Sequence, residues 1–180
     1  ASPQDESGFD FRKTKWVMSE VEVKASEDNQ PYTRESSTSF DTILIYKGAV
    51  ANLQTVYGYK FVSDQLVETS YVFVEQHSNK NDYIYDYKKI KEILTGKYGQ
   101  PESDRVIWKN NLYRDSPERY GMAVSKGDLV YSAEWKTPST FILLGLSGDN
   151  YEIKMVLFYQ SLRLKSLVDA KTKKTQEEDF

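Results

Sequence analysis

The stretch that decides the fold is "TFILLGLSGDNYEIKMVLFYQ", residues 140–160. Its arms, "TFILLGL" (140–146) and "YEIKMVLFYQ" (151–160), flank "SGDN" (147–150), a cluster of turn-forming residues. Two strand-length arms around such a cluster predict a β-hairpin. "TFILLGL" is apolar at nearly every position, the pattern of a central strand covered on both faces.

Reading upstream from this hairpin, "LVYSAEWK" (129–136) alternates and is closed by Pro138, and "DRVIWK" (104–109) is a further strand. Between them, "SPERYGMAVSKG" (116–127) offers Ser116 as N-cap, Pro117 at the first helical position and Gly127 as a stop. That predicts a short helix, which Gly121 interrupts. "YIYDYKKIKEILTGKYG" (83–99) is the clearest helix, with Tyr83, Tyr87, Ile90, Leu94 and Tyr98 at helical spacing. Asp82 is its expected cap, and Gly99 followed by Pro101 closes it.

Nearer the start lie "TILIYK" (42–47), "LQTVYGYKFV" (53–62) and "LVETSYVFVE" (66–75), three more strands. "SDQ" (63–65) joins the last two as a three-residue hairpin loop. In "KWVMSEVEV" (15–23), Ser19 and Glu22 form a capping box, with Met18 and Val23 at the two positions of a hydrophobic staple. A short helix over 19–27 follows, with Trp16 expected to pack beneath it.

A helix followed by three strands, then a second helix followed by about four, argues for α+β. The expected architecture is a twisted, mainly antiparallel sheet of about seven strands with two main helices packed on one face. Residues 11–160 form one domain in this reading. Residues 1–10 are a flexible polar leader, and 161–180 are a charged tail, a partly ordered segment or a loose helix. The aromatic load agrees with sheet: 14% of the 180 residues are aromatic, 14 of them Tyr.

Composition removes several kinds of chemistry. Cysteine is absent, so disulfides, thiolate metal sites and cysteine nucleophiles are excluded. No apolar run reaches the length of a membrane span. A net charge of −3 gives no general attraction to nucleic acid. The Tyr and Lys residues interleaved over 83–99 read as an amphipathic helix with a wet lysine face, so no nucleic-acid partner is expected. No glycine-rich phosphate cradle occurs, and no cofactor is expected.

His77 is the only histidine and lies among Ser78, Asn79 and Asn81, the setting of a solvated loop residue rather than a catalytic base. "SEDN" (26–29) and "SGDN" (147–150) read as polar turns, since neither has the ligand spacing of a calcium loop. Glu68, Glu75, Glu134 and Glu152 sit on expected strands, and nothing in the spacing makes two of them converge as an acid–base pair. The chain is therefore read as non-enzymatic. The remaining candidate is a row at period two, Tyr57, Tyr59 and Phe61, which is either core or an exposed binding surface.

Two stretches carry a resemblance. "FRKTKWVMSEVEV" and "ILTGKYGQP" resemble elements of a group of uncharacterised exported bacterial proteins, through Phe11, Arg12, Trp16, Met18, Ser19 and Val23, and through Leu94, Lys97, Tyr98, Gly99 and Pro101. Val17 stands where that group carries Gly. In helix order and strand pairing the chain is also similar, more faintly, to small periplasmic modules of the outer-membrane assembly lipoprotein and β-lactamase-inhibitor type. The resemblance implies an exported, non-catalytic α+β domain, periplasmic or secreted. The residues contain no signal peptide, which leaves a cytoplasmic location open, since a mature exported chain lacks one as well. The expected function is binding to a protein partner, the alternative being a small ligand or glycan held in a tyrosine-lined groove.

Overall fold

A computed structural model describes residues 8–178. The fold is α+β, with one antiparallel sheet of eight strands and four helices. The elements in chain order are α1 (Glu20–Ser26), β1 (Thr33–Glu35), β2 (Thr42–Val50), β3 (Leu53–Val62), β4 (Gln65–Phe73), α2 (Asn81–Tyr98), β5 (Ser103–Trp108), α3 (Tyr120–Ser125), β6 (Leu129–Lys136), β7 (Thr140–Asp149), β8 (Glu152–Ser161) and α4 (Lys165–Glu178). A single 3₁₀ turn, Pro117–Arg119, leads into α3.

The strands lie in the order β1-β2-β3-β4-β8-β7-β6-β5. Each half of the chain is thus a helix followed by four antiparallel strands in sequence order, with α3 inserted between β5 and β6 in the second, and the halves meet where β4 pairs β8. The eighth strand, β1, was not expected. Its three residues are all exposed and carry no apolar signal. Among the described residues no helix is long and apolar enough to cross a membrane.

Local chemistry explains most element ends. At α1 the capping box forms as expected: Ser19 Oγ accepts from Glu22 N at 3.3 Å, and Ser19 N donates to Glu22 Oε2 at 2.7 Å. Val23 is fully buried, and Met18 packs against the core. Trp16 reaches further than expected, donating from Nε1 to Thr140 on β7 at 2.8 Å. At α2, Asp82 falls inside the first turn instead of capping it; Asn79 Oδ1 accepts from Asn81 N.

Three of the hairpins turn on two residues each. Ala51–Asn52, Ser63–Asp64 and Asn150–Tyr151 all have positive φ, 48–67°. Two left-handed residues give a turn whose twist matches that of the paired strands. The loop 63–65 therefore shortens to Ser63–Asp64, and the turn expected at 147–150 shifts to 150–151. Gly121 does not interrupt α3. A Cβ there would lie 2.2 Å from the Lys80 carbonyl carbon, so the missing side chain lets α3 close onto the start of α2.

The core lies on one face of the sheet. Leu44, Tyr46, Tyr57, Tyr59, Tyr71, Leu157, Leu144 and Trp135 point to this face and meet Val23 of α1, Ile84, Tyr87, Ile90 and Leu94 of α2, and Val124 of α3. The two main helices, α1 and α2, share this face, whereas α4 does not. Val168 of α4 packs with Phe40, Val62 and Val67 in a separate cluster on the other face. β4 makes this possible: Lys60 pairs Glu68 and Phe61 pairs Leu66, so Val67 is an extra, bulged residue turned away from the core. The expected tail is thus a docked helix. Of the expected leader, residues 1–7 lie outside the described residues, and Asp10 is tied down by bonds from Trp16 N (2.9 Å) and Ser139 Oγ (2.6 Å).

Candidate functional site

Tyr57, Tyr59 and Phe61 are 2%, 0% and 1% exposed, so this row is core and not a surface. Its hydroxyl groups serve a buried polar cluster. Glu27, at the end of α1, accepts from Arg12 Nε at 2.8 Å and Nη2 at 3.2 Å, from Gln30 Nε2 at 2.8 Å, from Tyr57 OH at 2.9 Å, and from Tyr59 OH. The Arg12 guanidinium lies 4.4 Å from the centre of the Tyr57 ring. Burial opposes ionisation of Glu27, but the bonds from Arg12, Tyr59 and Tyr57 outweigh it and hold the carboxyl below its ordinary range. The same burial, reinforced by Glu27, pushes the Tyr57 hydroxyl up to about 12. These mutual bonds tie the N-terminal segment and α1 to the sheet.

The other candidates separate in space. His77 is a loop residue but only partly solvated: its Nε2 lies 2.5 Å from Asp86 Oδ2, and its ring stands edge-on to Tyr83 at 4.8 Å. Among the described residues no hydroxyl nucleophile bonds to that imidazole. Glu68 and Glu134 share the face opposite the core, but β8 and β7 lie between their strands. That puts them at least about 14 Å apart laterally, beyond the carboxyl spacing of glycoside hydrolysis. Glu75 instead accepts from Gln54 N at a hairpin end, and Glu152 is exposed. Among the described residues no group of three acidic or histidine side chains could hold a metal. A cavity of 380 Å³ opens beside the start of α2, lined by Asn79, Lys80, Asn81, Tyr113 and Arg119 among others. Two of its polar groups are already engaged, Lys80 with the Tyr151 carbonyl and Asn81 with Gly121 N.

What stands out is the second sheet face. The alternate residues of "TFILLGL" that were expected to be covered, Phe141, Leu143 and Gly145, are only half-buried. They continue into neighbouring strands. Val56 pairs Val72, Val72 pairs Val156, and Phe158 pairs Leu143, all half-buried and all on this face. Ile45 on β2 and Val130 on β6 extend the stripe. A Cβ at Gly145 would meet nothing within 4 Å, so the face is open above β7. Exposed Lys47, Lys136 and Lys154 border it. From ladder and residue spacing the stripe covers about 24 Å by 20 Å, roughly 500 Å².

Two polar residues of β4 interrupt the stripe, Ser70 beside Phe158 and Glu68. Glu68 is buried, accepts from Gln160 Nε2 at 2.7 Å and sits 3.6 Å from Lys60 Nζ. Burial raises its carboxyl above the ordinary range in spite of Lys60 and Gln160. The sequence signal for this face was present in the apolar odd positions of 141–145 and the even positions 156 and 158. It reads as two-sided burial until the covering elements are placed. No family model matches this chain, and no curated protein or solved structure matches it either.

Proposed function

We propose that the chain is a non-catalytic, exported interaction domain that docks a protein on the open face of its sheet. The observation that carries this reading is the apolar stripe running through Val56, Val72, Val156, Phe158 and Leu143 on four adjacent strands, left only partly buried. A contiguous patch of this size on a monomer is often an interaction site. With its polar rim it approaches the roughly 800 Å² per partner of a standard interface. Its breadth, across four adjacent strands, favours a protein surface over a small ligand, which needs a concave site. The tyrosines that would have lined a ligand groove are buried in the core.

A photo-reactive side chain at position 72 or 156, compared with one at exposed Ile93 on α2, tests the proposal. Defined protein adducts in the source cells from 72 and 156, lost when Leu143 is changed to Lys, are expected. Equal labelling from position 93 would refute it.

A further inference from the structure

The second sheet face is not open along its whole length. α4 lies across one end, and it is held differently from the core helices. Four side chains of the 18-residue α2 are buried, whereas among the described side chains of the 14-residue α4 a single apolar anchor, Val168, is buried. Leu164 and Leu167 flank that anchor. Beyond the first turn the contact is polar. Thr172 Oγ1 donates to Ser39 Oγ at 2.8 Å, Thr175 Oγ1 donates to the Thr38 carbonyl at 3.1 Å, and Lys171 pairs with Asp41 at 2.9 Å. The two side chains of that pair are 34% and 41% exposed, so it holds the helix weakly. A helix of this length is marginal without its docking contacts.

The surface under α4 is continuous with the open stripe. Ile43, on the same face as Ile45, packs against the cluster that α4 covers. Removing α4 would add Phe40, Val62 and Val67 to that surface. We propose that α4 is a displaceable cover, an intramolecular occupant of one end of the docking face that a partner segment replaces. The replacement step rests on the docking role argued above. The marginal hold of α4 is a property of the chain alone and is tested without any partner.

The experiment uses amide hydrogen exchange on the full chain, read by peptide mass. In the wild type, α4 peptides should exchange at least about a thousandfold faster than β7, yet slower than an unstructured peptide. Because the chain has no Cys, Ser39→Cys with Thr172→Cys introduces one thiol pair. Oxidised, it should slow α4 exchange at least about tenfold and leave β7 unchanged. Val168→Lys should free α4 without unfolding the sheet, and should raise the fluorescence of anilinonaphthalene sulfonate several-fold.

Exchange of α4 as slow as β7, or global unfolding of Val168→Lys, would make α4 an integral element and overturn the proposal. Random-coil exchange in the wild type, failure of the thiol pair to close under mild oxidant, or unchanged dye fluorescence would also overturn it. None of these results touches the docking role of the stripe. Loss of the cross-links at positions 72 and 156 would in turn leave the exchange behaviour of α4 unchanged.

Discussion

Replacing Glu27 with Ala tests the polar cluster that ties the N-terminal segment and α1 to the sheet. The Glu27 side chain is 4% exposed and gathers donors from Arg12, Gln30, Tyr57 and Tyr59. Truncation strands the Arg12 charge and two buried tyrosine hydroxyls. Breaking a buried pair costs about 3–5 kcal/mol. Arg12 remains one-third exposed and can be hydrated, so the lower end, about 3 kcal/mol, applies. For a chain of this size that lowers the melting temperature by roughly 6–12 °C. Urea denaturation followed by tryptophan fluorescence measures it. A double change, Arg12→Met with Glu27→Leu, should recover most of the loss, because no uncompensated charge is left.

The pH dependence has a definite sign. The folded carboxyl of Glu27 lies below its unfolded value, so its stabilisation is complete above the unfolded pKa, about 4.3, and fades as pH falls through the folded value. Glu27→Gln should lack this acid-side loss. A Glu27→Ala protein within 1 kcal/mol of wild type, or identical acid profiles for wild type and Glu27→Gln, would refute the reasoning.

Three further outcomes follow from single contacts. Gly121→Ala forces a Cβ to within 2.2 Å of backbone at Lys80 and should cost more than about 3 kcal/mol, with loss of near-ultraviolet dichroism. Val17 holds φ at +77°, a region unfavourable to a β-branched residue by about 1–2 kcal/mol, so Val17→Gly should raise stability by about 0.5 kcal/mol after the entropy cost of glycine; a fall of more than 1 kcal/mol in urea would count against strain there. Val156→Lys and Leu157→Lys place the same charge on opposite faces of β8, and only the second should unfold the domain by circular dichroism, the first costing less than about 1 kcal/mol.

What was legible in the sequence was local. The capping box at Ser19 and Glu22 needs only residues three apart, and the stop at Gly99 only its own backbone. The period-two row Tyr57, Tyr59, Phe61 correctly placed three side chains on one face, because alternation is a property of a strand alone. The same row could not show that this face is the buried one. β1 carried no signal, since exposed residues on a short edge strand owe their conformation to the pairing with β2. Gly121 read as a helix breaker because propensity weighs the glycine against its own helix. Its role is set by Lys80, which is 41 residues away in the chain.

The sequence by itself determined an antiparallel α+β chain, its strongest helices and the absence of cysteine and phosphate-cradle chemistry, because hydrophobic period, capping and composition act over a few residues. Only the tertiary structure decided which face of "TFILLGL" is covered. Both faces of β7 are apolar, and the difference between core and open stripe lies in where α1, α2 and α3 pack and where α4 stops. Burial is a relation between distant segments, so the same Phe141 and Leu143 that read as core positions become the partly buried stripe once every helix but α4 has taken the other side.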